Sequence, residues 1–98
     1  MKRNVVLQIK RASGTYLVRN ELGLHARAAA RMVQVARNFA SEVRLSREGA
    51  QVDGKNILDV LSLSCPRGTQ VVLYASGPDA EEALQAIGAL IDDGFGEM

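Results

Sequence analysis

The spacing of apolar positions along the chain changes period several times, and each change predicts an element. Val5, Leu7 and Ile9 give a weak alternating, strand-like pattern that Ser13-Gly14 breaks. Thr15-Tyr16-Leu17-Val18-Arg19, β-branched and aromatic, predicts a strand, and Asn20-Glu21-Leu22-Gly23 a turn. The period then becomes helical. Ala28/Ala29, Met32/Val33, Val35/Ala36 and Phe39/Ala40 form one apolar stripe, with Arg27, Arg31, Gln34 and Asn38 opposite. Strict alternation returns in Glu42-Val43-Arg44-Leu45-Ser46, followed by a turn at Glu48-Gly49-Ala50 and a short strand through Gln51-Val52.

After a second turn at Asp53-Gly54, a brief helix is predicted from Ile57 to Leu63. Asn56 serves as its N-cap and Pro66 blocks its continuation. Val71, Leu73 and Ala75 mark a last strand between Thr69 and Ser76. Asp79 with Glu82 has the spacing of a capping box ahead of a final helix. That helix buries Ala80, Ala83, Leu84, Ile87, Leu90 and Ile91 and stops at Gly94. The order β-α-β-β-α-β-α, with half-exposed strands, predicts an α+β domain: a mostly antiparallel sheet with helices on one face.

Composition narrows the function. With 98 residues, 47% hydrophobic and 23% charged, the chain suits one small globular domain. No apolar run reaches the roughly 20 residues of a membrane span, so no membrane insertion is expected. Cys65, the single cysteine, cannot form an internal disulfide, and no Cys/His cluster offers a metal site. These features, with no signal-like N-terminus, lead to a cytoplasmic expectation. Net charge is only +1, yet residues 1–20 carry five cations and no acid, and residues 79–98 carry six acids and no cation. Aromatics are only 4%, with no stacking pair on one strand, so nucleic acid is not an expected partner.

The chemistry concentrates on His25, the only histidine, at the start of the long helix and two residues before Arg27. A helix start offers unpaired N–H groups and positive potential to an anion, and a guanidinium can add bidentate contacts to phosphate oxygens. The same positive field disfavours imidazolium and leaves the ring nucleophilic. A histidine that accepts and surrenders a phosphoryl group fits this arrangement. Spacing alone nevertheless favours a histidine that simply caps or covers the helix end.

The run Gly23-Leu24-His25-Ala26-Arg27-Ala28-Ala29 resembles the active-site motif of the histidine-containing phosphocarrier proteins, the HPr family of the bacterial phosphoenolpyruvate-dependent phosphotransferase system. Val52-Asp53-Gly54-Lys55-Asn56-Ile57-Leu58 resembles the family's second block, and Gly68-Thr69 and Gly77-Pro78-Asp79 fall in place after it. The resemblance implies an open-faced β-sandwich, a four-stranded antiparallel sheet with three helices on one face. It occupies residues 13–98 behind an N-terminal extension of residues 1–12. It further implies phosphorylation of His25 on Nδ1 and phosphate stabilisation by Arg27. Enzyme I would be the donor and an enzyme IIA domain the acceptor, in a sugar-uptake or a nitrogen-type regulatory branch. Such a protein is a carrier, not an enzyme; it needs no cofactor and acts as a monomer. The alternative role is an HPr-like regulator that docks to a transcription factor or enzyme.

Two departures from the family pattern stand out. Ala28 replaces a frequent proline just inside the helix, a mild loss of rigidity. Asn56 stands where many members carry a kinase-regulated serine; it caps equally well but has no hydroxyl to phosphorylate. The expected docking face comprises Arg31 and Gln34 on the long helix and Ile57, Leu58 and Leu61 on the short one, an apolar centre ringed by arginine. Ile57, Leu58 and Leu61 are equally readable as core.

Overall fold

A computed structural model describes residues 10–98. The predicted pattern at Val5–Ile9 lies outside the described residues. Four strands, β1 (Lys10–Leu17), β2 (Glu42–Arg47), β3 (Ala50–Asp53) and β4 (Gln70–Gly77), form one antiparallel sheet in the order β1-β4-β2-β3. Three helices, α1 (Ala26–Ala36), α2 (Ile57–Ser62) and α3 (Ala80–Asp92), and a 3₁₀ turn at Gly94–Gly96 complete it. This is the open-faced sandwich expected.

Alternation decides which sheet face the helices cover. Val43 and Leu45 on β2 and Val71, Leu73 and Ala75 on β4 are buried beneath the helices. Register stacks them across the strands, with Leu45 opposite Leu73 and Val43 opposite Ala75. Ala28, Ala29, Met32, Val33 and Ala36 of α1 and Ala80, Ala83, Ile87 and Ile91 of α3 close the core from above. The opposite sheet face exposes Thr15, Glu42, Gln70 and Tyr74.

The structure redraws three predicted features. Strand β1 starts at Lys10 and runs through Ser13-Gly14, so Lys10, Arg11 and Ala12, placed in the extension by sequence, pair with Gly77, Ser76 and Ala75. Gly14 does not break the strand because its missing side chain makes room for the Tyr16 ring: a Cβ there would lie 2.9 Å from the Tyr16 hydroxyl. The same ring covers Gly88, where a Cβ would sit 2.5 Å from it, so two small positions let α3 approach β1 closely. Helix α1 ends at Ala36, short of Phe39 and Ala40. Tertiary partners draw those residues out of the helix: Lys55 Nζ donates to the Phe39 carbonyl at 2.6 Å, and the Ala40 and Ser41 amides donate to Asp79.

Asp79 therefore does not make the expected capping box. It occupies the N-cap position of α3 with no side-chain capping bond. Its carboxylate instead accepts from Ala40 N, Ser41 N and Ser41 Oγ at 3.0, 2.9 and 2.6 Å. Ser41 is buried, and its backbone donor needs an acceptor more than the solvent-accessible helix start does. These three bonds, led by the Ser41 hydroxyl, hold the Asp79 carboxyl below the usual carboxylate range against its desolvation.

Candidate functional site

His25 is the N-cap of α1, with extended backbone (φ −79°, ψ −178°). Its carbonyl begins the helix by accepting from Ala29 N at 2.8 Å. Its side chain caps as well: the backbone N–H of Arg27 donates to His25 Nδ1 at 3.3 Å. Nδ1 is therefore the unprotonated ring nitrogen, its lone pair directed at the first turn of α1. Arg27 is exposed, and its guanidinium forms no hydrogen bond or ion pair with the described residues.

The loop before His25 is fixed by backbone contacts. Leu24 N donates to the Cys65 carbonyl at 2.8 Å. Gly23 has φ 66°, and a Cβ there would come within 2.5 Å of that same carbonyl oxygen, so only glycine fits. Arg47 reaches from β2 to the carbonyls of Leu63 and Ser64, steadying the segment that receives Leu24. Burial pushes the Cys65 thiol up despite the nearby Arg47 charge, so this cysteine is a packing group.

Sequence reasoning missed the partner of the second ring nitrogen. After α3 the chain bends through Gly94, Phe95 and Gly96, all at positive φ, with Phe95 buried. Arg31 donates from α1 to the Phe95 carbonyl. The bend places Glu97 over the start of α1, where its Oε2 lies 2.7 Å from His25 Nε2. Asn20 Nδ2 donates to Glu97 Oε1 at 2.8 Å and to the Gly23 carbonyl at 2.7 Å. The Asn20 amide first, and then His25, hold the Glu97 carboxyl below its usual range, against desolvation. With Nδ1 accepting, Nε2 carries the proton and donates it to Glu97. No local signal links Glu97 to His25; an acidic residue in an acidic tail reads as solvated surface.

The expected docking residues differ in exposure. Gln34 is exposed, whereas Arg31 is half-buried and held by Phe95. Leu58 is 74% exposed on α2, and Ile57 and Leu61 are half-buried against the core. Leu22, 64% exposed, adds an apolar group to the cleft that His25 shares with Leu24, Arg47, Ser64, Cys65 and Pro66. Asn56 caps α2 as expected, its Oδ1 accepting from Asp59 N at 3.1 Å. Among the described residues no helix is long and apolar enough to cross a membrane, and no three His, Cys, Asp or Glu side chains come together as metal ligands.

An open-faced sandwich with a single histidine capping its long helix, Nδ1 unprotonated beside an arginine, defines a small domain of the phosphocarrier class. Residues 12–93 match the family model described as the PTS HPr component phosphorylation site. The chain belongs to the HPr family of the phosphotransferase system. It is 51% identical over 78 residues to phosphocarrier protein HPr of Cupriavidus necator, covering 80% of this chain and 88% of that one. It is 42% identical over 76 residues to the HPr-like protein Crh of Bacillus subtilis, covering 78% and 89%. Its fold superposes on the crystal structure of HPr-C-His from Thermoanaerobacter tengcongensis with a TM-score of 0.86 at 39% identity, covering 89% of this chain and 98% of that one.

Proposed function

We propose that this protein accepts a phosphoryl group on His25 Nδ1 from phosphorylated enzyme I and passes it to an enzyme IIA domain. The single observation that carries this reading is the divided ring: Nδ1 unprotonated at the start of α1, Nε2 protonated against Glu97. The Nδ1 lone pair gives up the Arg27 N–H and attacks phosphorus as the donor's bond to phosphorus breaks, and the donor keeps that electron pair. The incoming oxygens meet the first-turn amides of α1, with the Arg27 N–H released from Nδ1 among them, and the exposed Arg27 guanidinium, which together offset the charge. Transfer onward is the same step in reverse on an acceptor nucleophile. The protein is thus turned over by its partners and is not itself a catalyst. Exposed Leu58 on α2 and Leu22 in the His25 cleft supply apolar contacts to the partners, and exposed Gln34 adds a polar one. Asn56 lacks a hydroxyl, so kinase control at this position is absent.

Incubation with phosphoenolpyruvate and enzyme I, followed by intact mass measurement, should add one acid-labile, base-stable phosphoryl group. His25→Ala should abolish the addition while keeping the fold, and Arg27→Ala should slow it. Equal labelling of His25→Ala would remove the assignment. The likeness to Crh favours a second reading, a docking regulator. In that role His25→Ala would keep full partner binding and regulation, whereas Leu58→Asp would lose both.

A further inference from the structure

We infer that Asn20 and Glu97 are positioning residues that hold the proton on His25 Nε2 and thereby set the reactivity of the phosphorylated form. The inference rests on the carrier reading and goes beyond it to how the phosphoryl group is released.

Asn20 is fully buried, and both donors of its amide are used, one on the Gly23 carbonyl and one on Glu97 Oε1. Turning the amide over would set its oxygen against two acceptors, so its orientation is fixed. The consequence is that Asn20 Oδ1 has no partner among the described residues. Burying an orphaned amide oxygen costs stability, and an apolar residue would avoid that cost. What the position gains is a rigid donor aimed at Glu97. The segment that delivers Glu97 is also built against local preference, because Phe95 adopts φ 57° between two glycines of positive φ. Two unfavourable local features converge on one hydrogen bond, Glu97 Oε2 to His25 Nε2.

The chemistry shows what that bond does. While Nε2 keeps its proton, cleavage of the P–Nδ1 bond returns the electron pair to the ring and expels neutral imidazole. Without that proton the ring would leave as imidazolate, a much poorer leaving group. A carboxylate on Nε2 stabilises the protonated phosphoimidazole and keeps the group transferable at neutral pH. The other charged and titratable groups around the pair are Arg47 and the Cys65 thiol, which share a cleft with His25, and Arg27, Arg31 and Glu21, which border Glu97. Glu97 is the one acid among the described residues that is bonded to the ring.

The test uses the full chain and its Glu97→Gln and Asn20→Ala variants. In the unmodified protein, ¹⁵N NMR of the ring should show Nε2–H as the dominant tautomer, drifting toward a mixture in both variants. In protein phosphorylated by enzyme I, the acid limb of the phosphohistidine hydrolysis profile should move to lower pH by about one unit in Glu97→Gln, a roughly tenfold longer lifetime above the midpoint. Asn20→Ala should move it in the same direction by less. Superimposable profiles and unchanged tautomers in folded variants would overturn the inference. If wild type takes no label from enzyme I, the carrier reading fails instead, and the tautomer measurement alone decides whether the pair positions His25.

Discussion

Phe95→Ala tests whether the segment after α3 is held by its own anchor. Phe95 is 1% exposed and is among the largest fully buried side chains of the domain. Truncating such a phenylalanine to alanine removes about 3–5 kcal/mol. Phe95 also sits at φ 57°, ψ 27°, a conformation that costs an L-residue roughly 1–2 kcal/mol. Alanine would still bear that cost, and glycine would not. At an ordinary site glycine is worse than alanine by about 0.5–1 kcal/mol, so here Phe95→Gly should equal or exceed Phe95→Ala in stability. A loss of about 3–5 kcal/mol from a domain this size lowers Tm on the order of 15–30 °C. Urea unfolding followed by far-UV circular dichroism would measure both variants. Deletion of residues 94–98 should cost at least as much as Phe95→Ala, since it also removes the bonds to Arg31, Asn20 and His25. A Phe95→Ala loss below about 1 kcal/mol, or a glycine variant clearly less stable than the alanine one, would refute the reasoning.

Two further outcomes follow from the caps and carboxylates. Asn56→Ala should cost about 1 kcal/mol by removing the bond to Asp59 N, and Asn56→Ser only a few tenths, both measurable by the same unfolding assay. The serine variant is then the substrate of choice for HPr kinase with ATP, which should leave wild type unlabelled; kinase labelling of wild type at Ser62 or Ser64 would contradict this. Asp79 and Glu97 both titrate below their ordinary values in the folded state. Their contribution is therefore full above about pH 5 and is lost as pH falls through 4 and below. Asp79→Asn should flatten that acid limb in unfolding measured at successive pH values, and an unchanged limb would show that Asp79 plays no such part.

Features carried by neighbours in the chain were legible from the chain alone. The apolar periods gave the element order, because helix and strand faces repeat within a few residues. The capping roles of His25 and Asn56 were readable for the same reason, since a cap bonds an amide two or three residues on. The Gly23–Ala29 motif added the phosphoryl chemistry. Tertiary structure decided what depends on distant groups competing for the same partners. Asp79 has the spacing of a capping box, but the buried amide and hydroxyl of Ser41, 38 residues away, claim its carboxylate. Ser13-Gly14 reads as a break, yet the strand continues because β4 pairs along it and the Tyr16 ring fills the space above Gly14. Glu97 lies 72 residues from His25, at a separation no periodicity encodes. Only the burial of Phe95 and the bend of Gly94 and Gly96 bring that carboxylate to Nε2, leaving Nδ1 unprotonated.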